Sequence, residues 1–421
     1  MASLLCVPSC DHSSVVRARI ALCALVATAL PLTGGAAAAQ PPACPNAVAP
    51  PPPVDTSEVP PPGVPAPPPV PVPETPVGGD RLADCGLITA PGAPLPPAEV
   101  TAASWVLADL DTGEVLAARD PHARHRPAST IKVLTALTAL RELRLNDTIV
   151  ATKEDANQEG SRVGLSPGVT YTVQQVLTGL LLQSGNDAAH ALAMRMGGME
   201  ATVQKMNALA KELGALDTRA ATPSGLDGPG MSTSAYDLAV IFRAAMREPA
   251  FAAIVATRNA TLPGAPGGPP LEVWNDNQML RHYPGGLGGK TGFTDDARHT
   301  YIAAAERNGR RLVAVLMRGE NKPERLSAQT MRLLDHGFAL GGAEPVGELV
   351  TTSPRPPAAE AQAQDNAAQP QASSLFGTVG GPLSLLAAAA VAVAAAVGVR
   401  QRRARLAAAA RRNRPEDADH P

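Results

Sequence analysis

Proline is distributed so unevenly along this 421-residue chain that it divides the sequence before any motif is considered. Of the 43 prolines, 21 lie between Pro41 and Pro97. Proline fixes φ and lacks the backbone N–H donor, so a segment this rich in proline forms neither a regular helix nor the interior of a sheet. We therefore interpret residues 40–97 as an extended, largely polyproline linker outside any compact domain.

The residues before this segment have the features of an export signal. Arg17 and Arg19 precede an apolar stretch from Ile20 to Leu32, and small residues follow as far as Ala39. A basic region, a short apolar core and a small-residue cleavage site are typical of a signal peptide, which we assign to residues 1–39. The alternative is an uncleaved membrane anchor.

Cleavage near Ala39 would leave two of the five cysteines, Cys44 and Cys85. Exported proteins enter an oxidising compartment, and these two cysteines flank the proline-rich segment. We predict that they form a disulfide, which would close a loop of about 40 residues. The alternative is a pair of free thiols.

The C-terminal part of the chain predicts a membrane span. Residues 347–374 are rich in Pro, Ala and Gln and contain few large apolar residues, so we interpret them as a second linker. Residues 375–399 carry no charged side chain, and arginines are concentrated in the tail formed by residues 400–421. This pattern predicts a single transmembrane helix that leaves the tail in the cytoplasm and the preceding chain outside the cell membrane. An interfacial helix is the alternative.

The region between the two linkers, residues 98–346, has the patterns of a compact domain. β-like runs flank turns at Asp111-Thr112-Gly113 and at Asn308-Gly309, the second being a strong hairpin signal. Helical periodicity dominates between the two hairpins. Its clearest segments are residues 173–182, 188–196, 201–213 and 235–246. We predict an α/β fold of the α+β type, in which N- and C-terminal strands form one antiparallel sheet and a large helical insertion separates them.

A candidate nucleophile lies at the start of the first helical pattern. Ser129 and Lys132 are three residues apart, and positions i and i+3 share one face of a helix. The lysine amine would then be able to take the serine proton, provided that burial or nearby cations keep this lysine neutral. Alone, the pair is equally consistent with a helix-capping serine followed by a surface lysine.

Two further motifs follow in the same domain. Ser184-Gly185-Asn186 comes after an apolar run, where a hydroxyl and an amide on one turn could face the same cleft. Gly289-Lys290-Thr291-Gly292-Phe293-Thr294 precedes the final hairpin and offers a cation and a hydroxyl to a carboxylate. Each motif taken alone is also compatible with an ordinary loop.

The ordered set of the three motifs resembles the signature of penicillin-binding proteins and serine β-lactamases. Within that superfamily the chain most resembles the low-molecular-mass D-alanyl-D-alanine carboxypeptidases. Arg126-Pro127-Ala128-Ser129 and the glycine of the second motif carry this likeness, as do Thr222-Pro223-Ser224-Gly225-Leu226 and Gly289 to Thr294. The resemblance implies a β-lactamase/transpeptidase-like fold. It also implies a serine hydrolase that removes the C-terminal D-alanine from peptidoglycan pentapeptide stems and is acylated by β-lactams.

The resemblance assigns a role to each motif residue. It implies that Ser129 forms the acyl-enzyme, Lys132 takes its proton and Ser184 relays a proton to the leaving group. Asn186 would hold the substrate amide. Lys290 and Thr291 would bind the terminal carboxylate, with Arg325 as a weaker candidate for that contact. The backbone N–H groups of Ser129 and Phe293, next to Gly292, would form an oxyanion hole. No metal ion or cofactor is expected.

Two other functions remain open at this stage. A class A β-lactamase would share the same motifs but needs a glutamate to activate the deacylating water, and the only acid between Thr222 and Met231 is Asp227. A non-catalytic penicillin-recognising module is the other alternative. The net charge of −2 gives no reason to expect a nucleic-acid partner. The expected partners are stem peptides ending in D-Ala-D-Ala, β-lactams as inhibitors, and the cytoplasmic membrane.

Overall fold

A computed structural model describes residues 44–350 of the chain. The predicted signal peptide, the predicted span at residues 375–399 and the basic tail lie outside these residues, as does most of the second linker. Between residues 44 and 350, the structure contains no helix that combines the length and the apolar character needed to cross a membrane.

The strands form one large antiparallel sheet and two small ones. Their bounds are β1 Leu87–Thr89, β2 Ser104–Asp109, β3 Glu114–Arg119, β4 Thr148–Val150, β5 Thr170–Thr172, β6 Asn259–Leu262, β7 Leu271–Trp274, β8 Gly286–Thr294, β9 Arg298–Arg307, β10 Arg310–Gly319 and β11 Gly347–Glu348. The large sheet has the order β1-β3-β2-β10-β9-β8, and β11 also pairs with β3. Strands β4 and β5 form one two-stranded sheet, and β6 and β7 form the other. Strands from both ends of the domain therefore meet in one sheet, as the sequence predicted.

The helices fill the sequence between β3 and β8, and one more follows β10. Their bounds are α1 Lys132–Glu142, α2 Lys153–Ala156, α3 Val173–Leu182, α4 Asn186–Arg195, α5 Met199–Leu213, α6 Ala235–Ala245, α7 Pro249–Val255, α8 Met279–His282 and α9 Leu326–Ala339. The four segments with predicted helical periodicity correspond to α3, α4, α5 and α6. The predicted α+β architecture is confirmed.

The central strands are buried on both faces. In β2, Val106 and Ala108 belong to the core on the side of α1 and α6, whereas Trp105 and Leu107 belong to the core on the side of α9. Successive side chains of a strand point to opposite faces, so such a strand needs apolar residues at every position when helices cover both sides of the sheet. The result is a helix–sheet–helix sandwich.

The predicted hairpin at Asn308-Gly309 joins the two longest strands. Arg307 pairs directly with Arg310, so the loop has two residues. Asn308 and Gly309 have φ of 52° and 77°, the left-handed conformation that a two-residue hairpin turn of this type requires. This prediction is confirmed, and so is the earlier hairpin, in which β2 pairs antiparallel with β3.

The interpretation of residues 40–97 as a free linker is wrong for the part that the structure describes. Residues 44–79, which we call the proline-rich arm, are extended but bind the domain through hydrogen bonds. After the arm, strand β1 pairs with β3 in the large sheet. A proline-rich segment has few N–H groups to satisfy, while its carbonyl groups can accept hydrogen bonds from a neighbouring surface. Cys44 and Cys85, which the sequence paired, are joined in a disulfide.

The predicted domain boundary at residue 346 also needs correction. Gly347 and Glu348 pair with Val115 and Glu114 of β3, and the Tyr236 hydroxyl donates to the Glu348 carbonyl at 2.8 Å. The second linker therefore begins later than predicted, because the last ordered residues extend the edge of the sheet.

Candidate active site

Ser129 lies in a short 3-10 turn, Ala128–Ile131, immediately before α1. The helix begins at Lys132, so the sequence placed the helix start one turn too early. Ala128 has φ of 47°, an unfavourable conformation for a residue with a side chain, and it directs the chain sharply into the turn. The Pro127 carbonyl accepts from the hydroxyls of Thr130, at 2.6 Å, and of Thr300 on β9, at 2.8 Å. Local and long-range hydrogen bonds thus hold the turn in place.

Lys132 is completely buried, and its Nζ has three polar neighbours. Nζ lies 2.8 Å from Ser129 Oγ and 2.7 Å from Asn186 Oδ1, and it also contacts the Ser224 carbonyl oxygen. The last two oxygens can only accept hydrogen bonds. A neutral amine can donate its two hydrogens to these acceptors and accept from the Ser129 hydroxyl with its lone pair, so the geometry is compatible with an unprotonated lysine.

The electrostatic surroundings favour the same protonation state. Burial, followed by the positive charge of Lys290, lowers the pKa of Lys132 well below its ordinary value, while Asp187 opposes this shift. Loss of water around an ammonium group disfavours the charged form, and a second cation disfavours it further.

Asn186 lies at the start of α4 and fixes the orientation of Lys132. Its Nδ2 donates to the Glu159 carbonyl at 2.6 Å, so its Oδ1 must face the lysine. Both ends of the amide are therefore occupied by the protein. The predicted contact of Asn186 with a substrate amide stays a prediction.

Ser184 and Lys290 form a second hydroxyl–amine pair. Lys290 Nζ donates to Ser184 Oγ at 3.0 Å and to the Thr291 carbonyl at 2.8 Å. Burial lowers the pKa of Lys290 to about 8, and the nearby carboxylate of Asp276 opposes this shift. Because an ammonium carries three hydrogens, one remains for a bound ligand. Ser184 accepts from Lys290, so its own hydrogen is free to be donated.

Two glycines allow the backbone segments of the site to approach one another. A Cβ at Gly292 of β8 would lie 2.8 Å from the Ser129 nitrogen and 2.4 Å from Thr300 Oγ1. At Gly225, which has φ of +83°, a Cβ would lie 2.0 Å from the Ala128 carbonyl oxygen. The strand on one side and the 222–231 loop on the other therefore contact the Ser129 turn directly, which larger residues would prevent.

The predicted site residues face a common cleft of about 460 Å³. The members of the prediction that line it are Ser129, Ser184, Thr291, Gly292, Phe293 and Arg325. Lys132, Asn186 and Lys290 are buried behind this surface. The structure thus brings together every motif residue that the sequence nominated.

Three contributors to the site were missed. The Ser224 carbonyl contacts Lys132, and Ser161 and Asp276 line the cleft. The stretch around Ser224 carried a sequence resemblance but gave no hint that a backbone oxygen was the useful atom. Nothing in the sequence around Ser161 or Asp276 indicates that tertiary folding carries them to the cleft.

In the part of the chain that the structure describes, one group of side chains outside the cleft has the composition of a metal site, namely His122, Asp217 and Asp237. His122 Nδ1 contacts Asp217 at 2.8 Å, and Arg124 Nε donates to the other oxygen of the same carboxylate. Asp237 accepts from the Asp217 backbone N–H and from Thr218, each at 2.7 Å. The arginine and these hydrogen bonds already use the potential ligand atoms, so the group serves as an ion-pair network.

Comparison with known proteins adds an independent line of evidence. The peptidase family S11 model, described as D-alanyl-D-alanine carboxypeptidase, matches residues 89–321. The D-alanyl-D-alanine carboxypeptidase DacB2 of Mycobacterium tuberculosis is 51% identical over 272 residues, which cover 63% of this chain and 92% of that protein. The corresponding enzyme DacF of Bacillus subtilis is 33% identical over 246 residues, covering 56% of this chain and 62% of DacF.

Solved structures show the same relationship. A crystal structure of a D-alanyl-D-alanine carboxypeptidase from Mycobacterium tuberculosis H37Rv matches with a TM-score of 0.59 and 49% identity, covering 62% of this chain and 99% of the other. The Streptomyces K15 DD-transpeptidase matches with a TM-score of 0.55 and 27% identity, covering 58% of this chain and 100% of the other.

Proposed function

Since this chain belongs to the D-alanyl-D-alanine carboxypeptidase family and is a serine-type carboxypeptidase, we propose that it removes the C-terminal D-alanine from peptidoglycan pentapeptide stems through an acyl-enzyme on Ser129. β-Lactams would acylate the same hydroxyl. The observation that carries this proposal is the buried Lys132 amine, which lies 2.8 Å from Ser129 Oγ in surroundings that lower its pKa.

Acylation begins when Ser129 Oγ attacks the carbonyl carbon between the two D-alanines. Lys132 takes the hydroxyl proton as the new C–O bond forms, and Asn186 and the Ser224 carbonyl hold the resulting ammonium in position. The negative charge that develops on the substrate oxygen is stabilised by the backbone N–H groups of Ser129 and Phe293. The close approach that Gly292 permits between β8 and the Ser129 turn supports this pairing of donors.

Expulsion of D-alanine requires a proton on its nitrogen. Ser184 donates this proton as the C–N bond breaks and receives in turn the proton that Lys132 took from Ser129, so that Lys132 is neutral again for deacylation, while Lys290 holds the Ser184 oxygen in position. Lys290, Thr291 and Arg325 bind the carboxylate of the substrate in its initial pose, because they supply cations and a hydroxyl. Thr291 and Arg325 line the cleft, and the Lys290 amine lies behind its surface beside Ser184. Water then hydrolyses the acyl-enzyme.

A β-lactamase of class A type is a weaker alternative. Among residues 44–350, no carboxylate makes a hydrogen bond to Ser129 or to Lys132. Asp227, the one acid in the 222–231 loop, instead makes a side-chain hydrogen bond with Thr294, the residue after Phe293. A non-catalytic module is disfavoured because a buried, desolvated lysine beside a serine is costly to maintain without chemical use.

Two measurements test the activity. Fluorescent penicillin should label the wild-type protein covalently and should not label Ser129→Ala, and D-alanine release from a pentapeptide should follow the same pattern. Lys132→Ala should acylate at least 10²-fold more slowly, since general-base catalysis of this kind contributes about 10²- to 10⁴-fold. Labelling of Ser129→Ala at the wild-type rate would contradict the assignment of the nucleophile.

We also propose that the catalytic domain is held outside the cytoplasmic membrane by the segment 375–399, with the arginine-rich tail in the cytoplasm. The uncharged segment and the arginines after it support this topology. Protease added to spheroplasts should remove the catalytic domain while a tag after Pro421 stays protected. Removal of residues 375–421 should release active, soluble enzyme, and a truncated protein that stays on the membrane would contradict the topology.

A further inference from the structure

The proline-rich arm is attached to the catalytic domain near both of its ends. Buried Arg124 donates from Nη1 to the Val48 carbonyl at 2.7 Å and from Nη2 to the Pro71 carbonyl at 2.9 Å. The disulfide between Cys44 and Cys85 closes the loop covalently. The arm precedes the residues that match the carboxypeptidase family, 89–321, so it is an addition to the framework that the family model describes.

Between these fastenings the arm contacts the segment that leads into the Ser129 turn. The guanidinium of Arg126, three residues before Ser129, forms a two-pronged ion pair with Glu58 of the arm, in which Nη2 and Oε2 are 2.8 Å apart. Its Nη1 donates to the Pro51 carbonyl at 2.6 Å. The Arg126 side chain is 2% exposed and that of Glu58 is 15% exposed. All three guanidinium nitrogens of this buried arginine are therefore satisfied by the arm.

The arm also contacts the other side of the proposed oxyanion hole. The Val54 N–H donates to a carboxylate oxygen of Asp296, and Ser57 Oγ lies 3.5 Å from the other oxygen. Asp296 follows β8 by two residues, in the turn that leads to β9. One short stretch of the arm, residues 51–58, therefore contacts both the segment before Ser129 and the turn after Phe293.

The contacts made by residues 51–58 are suited to holding the Ser129 turn in a fixed position. The turn carries an unfavourable φ at Ala128, and such a conformation persists only where the surroundings enforce it. A bidentate arginine–carboxylate pair fixes both direction and distance, and burial protects it from screening by salt. A proline-rich backbone loses little conformational freedom when it binds to the domain, because proline already restricts it. The bound arm is therefore stiff.

We propose that Glu58 is a positioning residue that acts through Arg126 to hold the Ser129 turn, and that the disulfide-fastened arm sets the geometry of the two oxyanion-hole N–H groups. The arm does not enter the cleft, whose lining runs from Ser129 to Ser327. It therefore affects the rate at which a bound acyl donor reacts more than the affinity for that donor. This inference rests on the proposed function, because it assumes that Ser129 is acylated.

The test compares Glu58→Gln with Asp55→Asn in the full-length protein. Both changes remove one negative charge near Arg126, but Asp55 is exposed, hydrogen-bonds to Ser57 of the arm and acts on Arg126 through its charge alone, so it controls for charge without the direct contact. Penicillin acylation is measured as a dissociation constant and a first-order acylation rate constant, well below the melting temperature of each variant. Glu58→Gln should lower the rate constant by about 10- to 100-fold, as expected for a small misplacement of reacting groups, with little change in the dissociation constant. Asp55→Asn should match the wild type.

Two further variants keep the proposal testable if Glu58→Gln does not fold. Glu58→Asp retains the charge and should recover part of the acylation rate. The double variant Cys44→Ser/Cys85→Ser frees the arm and should also lower the acylation rate constant. Wild-type acylation rates in Glu58→Gln, or in the cysteine variant, would overturn the positioning role while leaving Ser129 as the nucleophile. Absence of labelling in the wild type would instead overturn the proposed function.

Discussion

Two buried lysines lie in one site, and the structure gives them different surroundings. Lys132 has no carboxylate hydrogen-bonded to it among residues 44–350, and its pKa falls well below the usual range because of burial and the charge of Lys290. Lys290 is equally buried, but the carboxylate of Asp276 partly restores its charged form, and its pKa is about 8. The surroundings therefore favour the neutral form of Lys132, whereas Lys290 keeps its charge below pH 8.

Asp276→Asn should shift the alkaline limb of the pH profile. Below pH 8 Lys290 is protonated and can bind a carboxylate, and this contact is lost as the pH rises through 8. Without the negative charge of Asp276 the ammonium is less stable, so its pKa falls and the limb moves to lower pH. We expect a loss in kcat/KM of roughly threefold at pH 8.5 and a smaller loss at pH 6.5.

The control for this experiment is Glu272→Gln, which removes an exposed carboxylate from strand β7, close by in sequence. Its profile should match that of the wild type. An unchanged alkaline limb in Asp276→Asn would show that Asp276 does not control the charge of Lys290.

At the scale of elements, the loop formed by residues 157–168 is held to the start of α4 by Asp187 and Asn186. The Asp187 carboxylate accepts from the backbone N–H groups of Val163, Gly164 and Leu165 at 2.8–3.0 Å. The same loop presents the Glu159 carbonyl to Asn186, which in turn orients Lys132. Loop order and base position are therefore coupled through α4.

Asp187→Ala should loosen this loop and slow acylation. Three N–H groups would lose their acceptor, at a cost of about 1–3 kcal/mol for each group that stays buried. Hydrogen exchange of the Val163–Leu165 amides should accelerate at least tenfold, which corresponds to about 1.4 kcal/mol of local stability. The hydrogen-exchange rates of amides in the central strand β10 should change less. Equal acceleration throughout the domain would indicate global destabilisation instead of release of this loop.

At the scale of the whole molecule, the domain buries a histidine that has no hydrogen-bond partner for either ring nitrogen within residues 44–350. His125 is 1% exposed, and burial together with the charges of Arg318 and Arg126 lowers its pKa to about 4. The folded protein therefore keeps this ring neutral in a pH range where the unfolded chain protonates it.

This difference predicts a loss of stability in acid. Because the folded pKa is below the unfolded value, the unfolded state binds more protons, and the free energy of unfolding falls as the pH drops from 6.5 to 4. His125 alone should contribute a loss of about 3 kcal/mol between pH 7 and pH 4.

His125→Phe removes the titrating group and keeps a ring of similar size. Denaturant unfolding at pH 7 and pH 4 should show that the variant loses less stability than the wild type over this interval, whatever its absolute stability. Equal losses in the two proteins would show that other groups control the acid sensitivity.

The sequence alone determined those features that depend on neighbours along the chain. Helical periodicity located α3, α4, α5 and α6, and the Asn308-Gly309 pair located the last hairpin, because backbone preferences and side-chain spacing act over a few residues. The spacing of Ser129 and Lys132 put hydroxyl and amine on one side of a turn for the same reason. The ordered motifs also nominated residues from three separate elements.

Only the tertiary structure decided what these residues experience. The carbonyls of the proline-rich arm find their donors on Arg124 and Arg126, 53 to 76 residues further along the chain, so the local sequence correctly predicted an extended conformation but not its attachment. Likewise, nothing local distinguishes Lys132 from Lys290. Their protonation depends on burial and on Asp276 and Asp187, and Coulomb and desolvation energies are set by distance in space, which the fold alone determines.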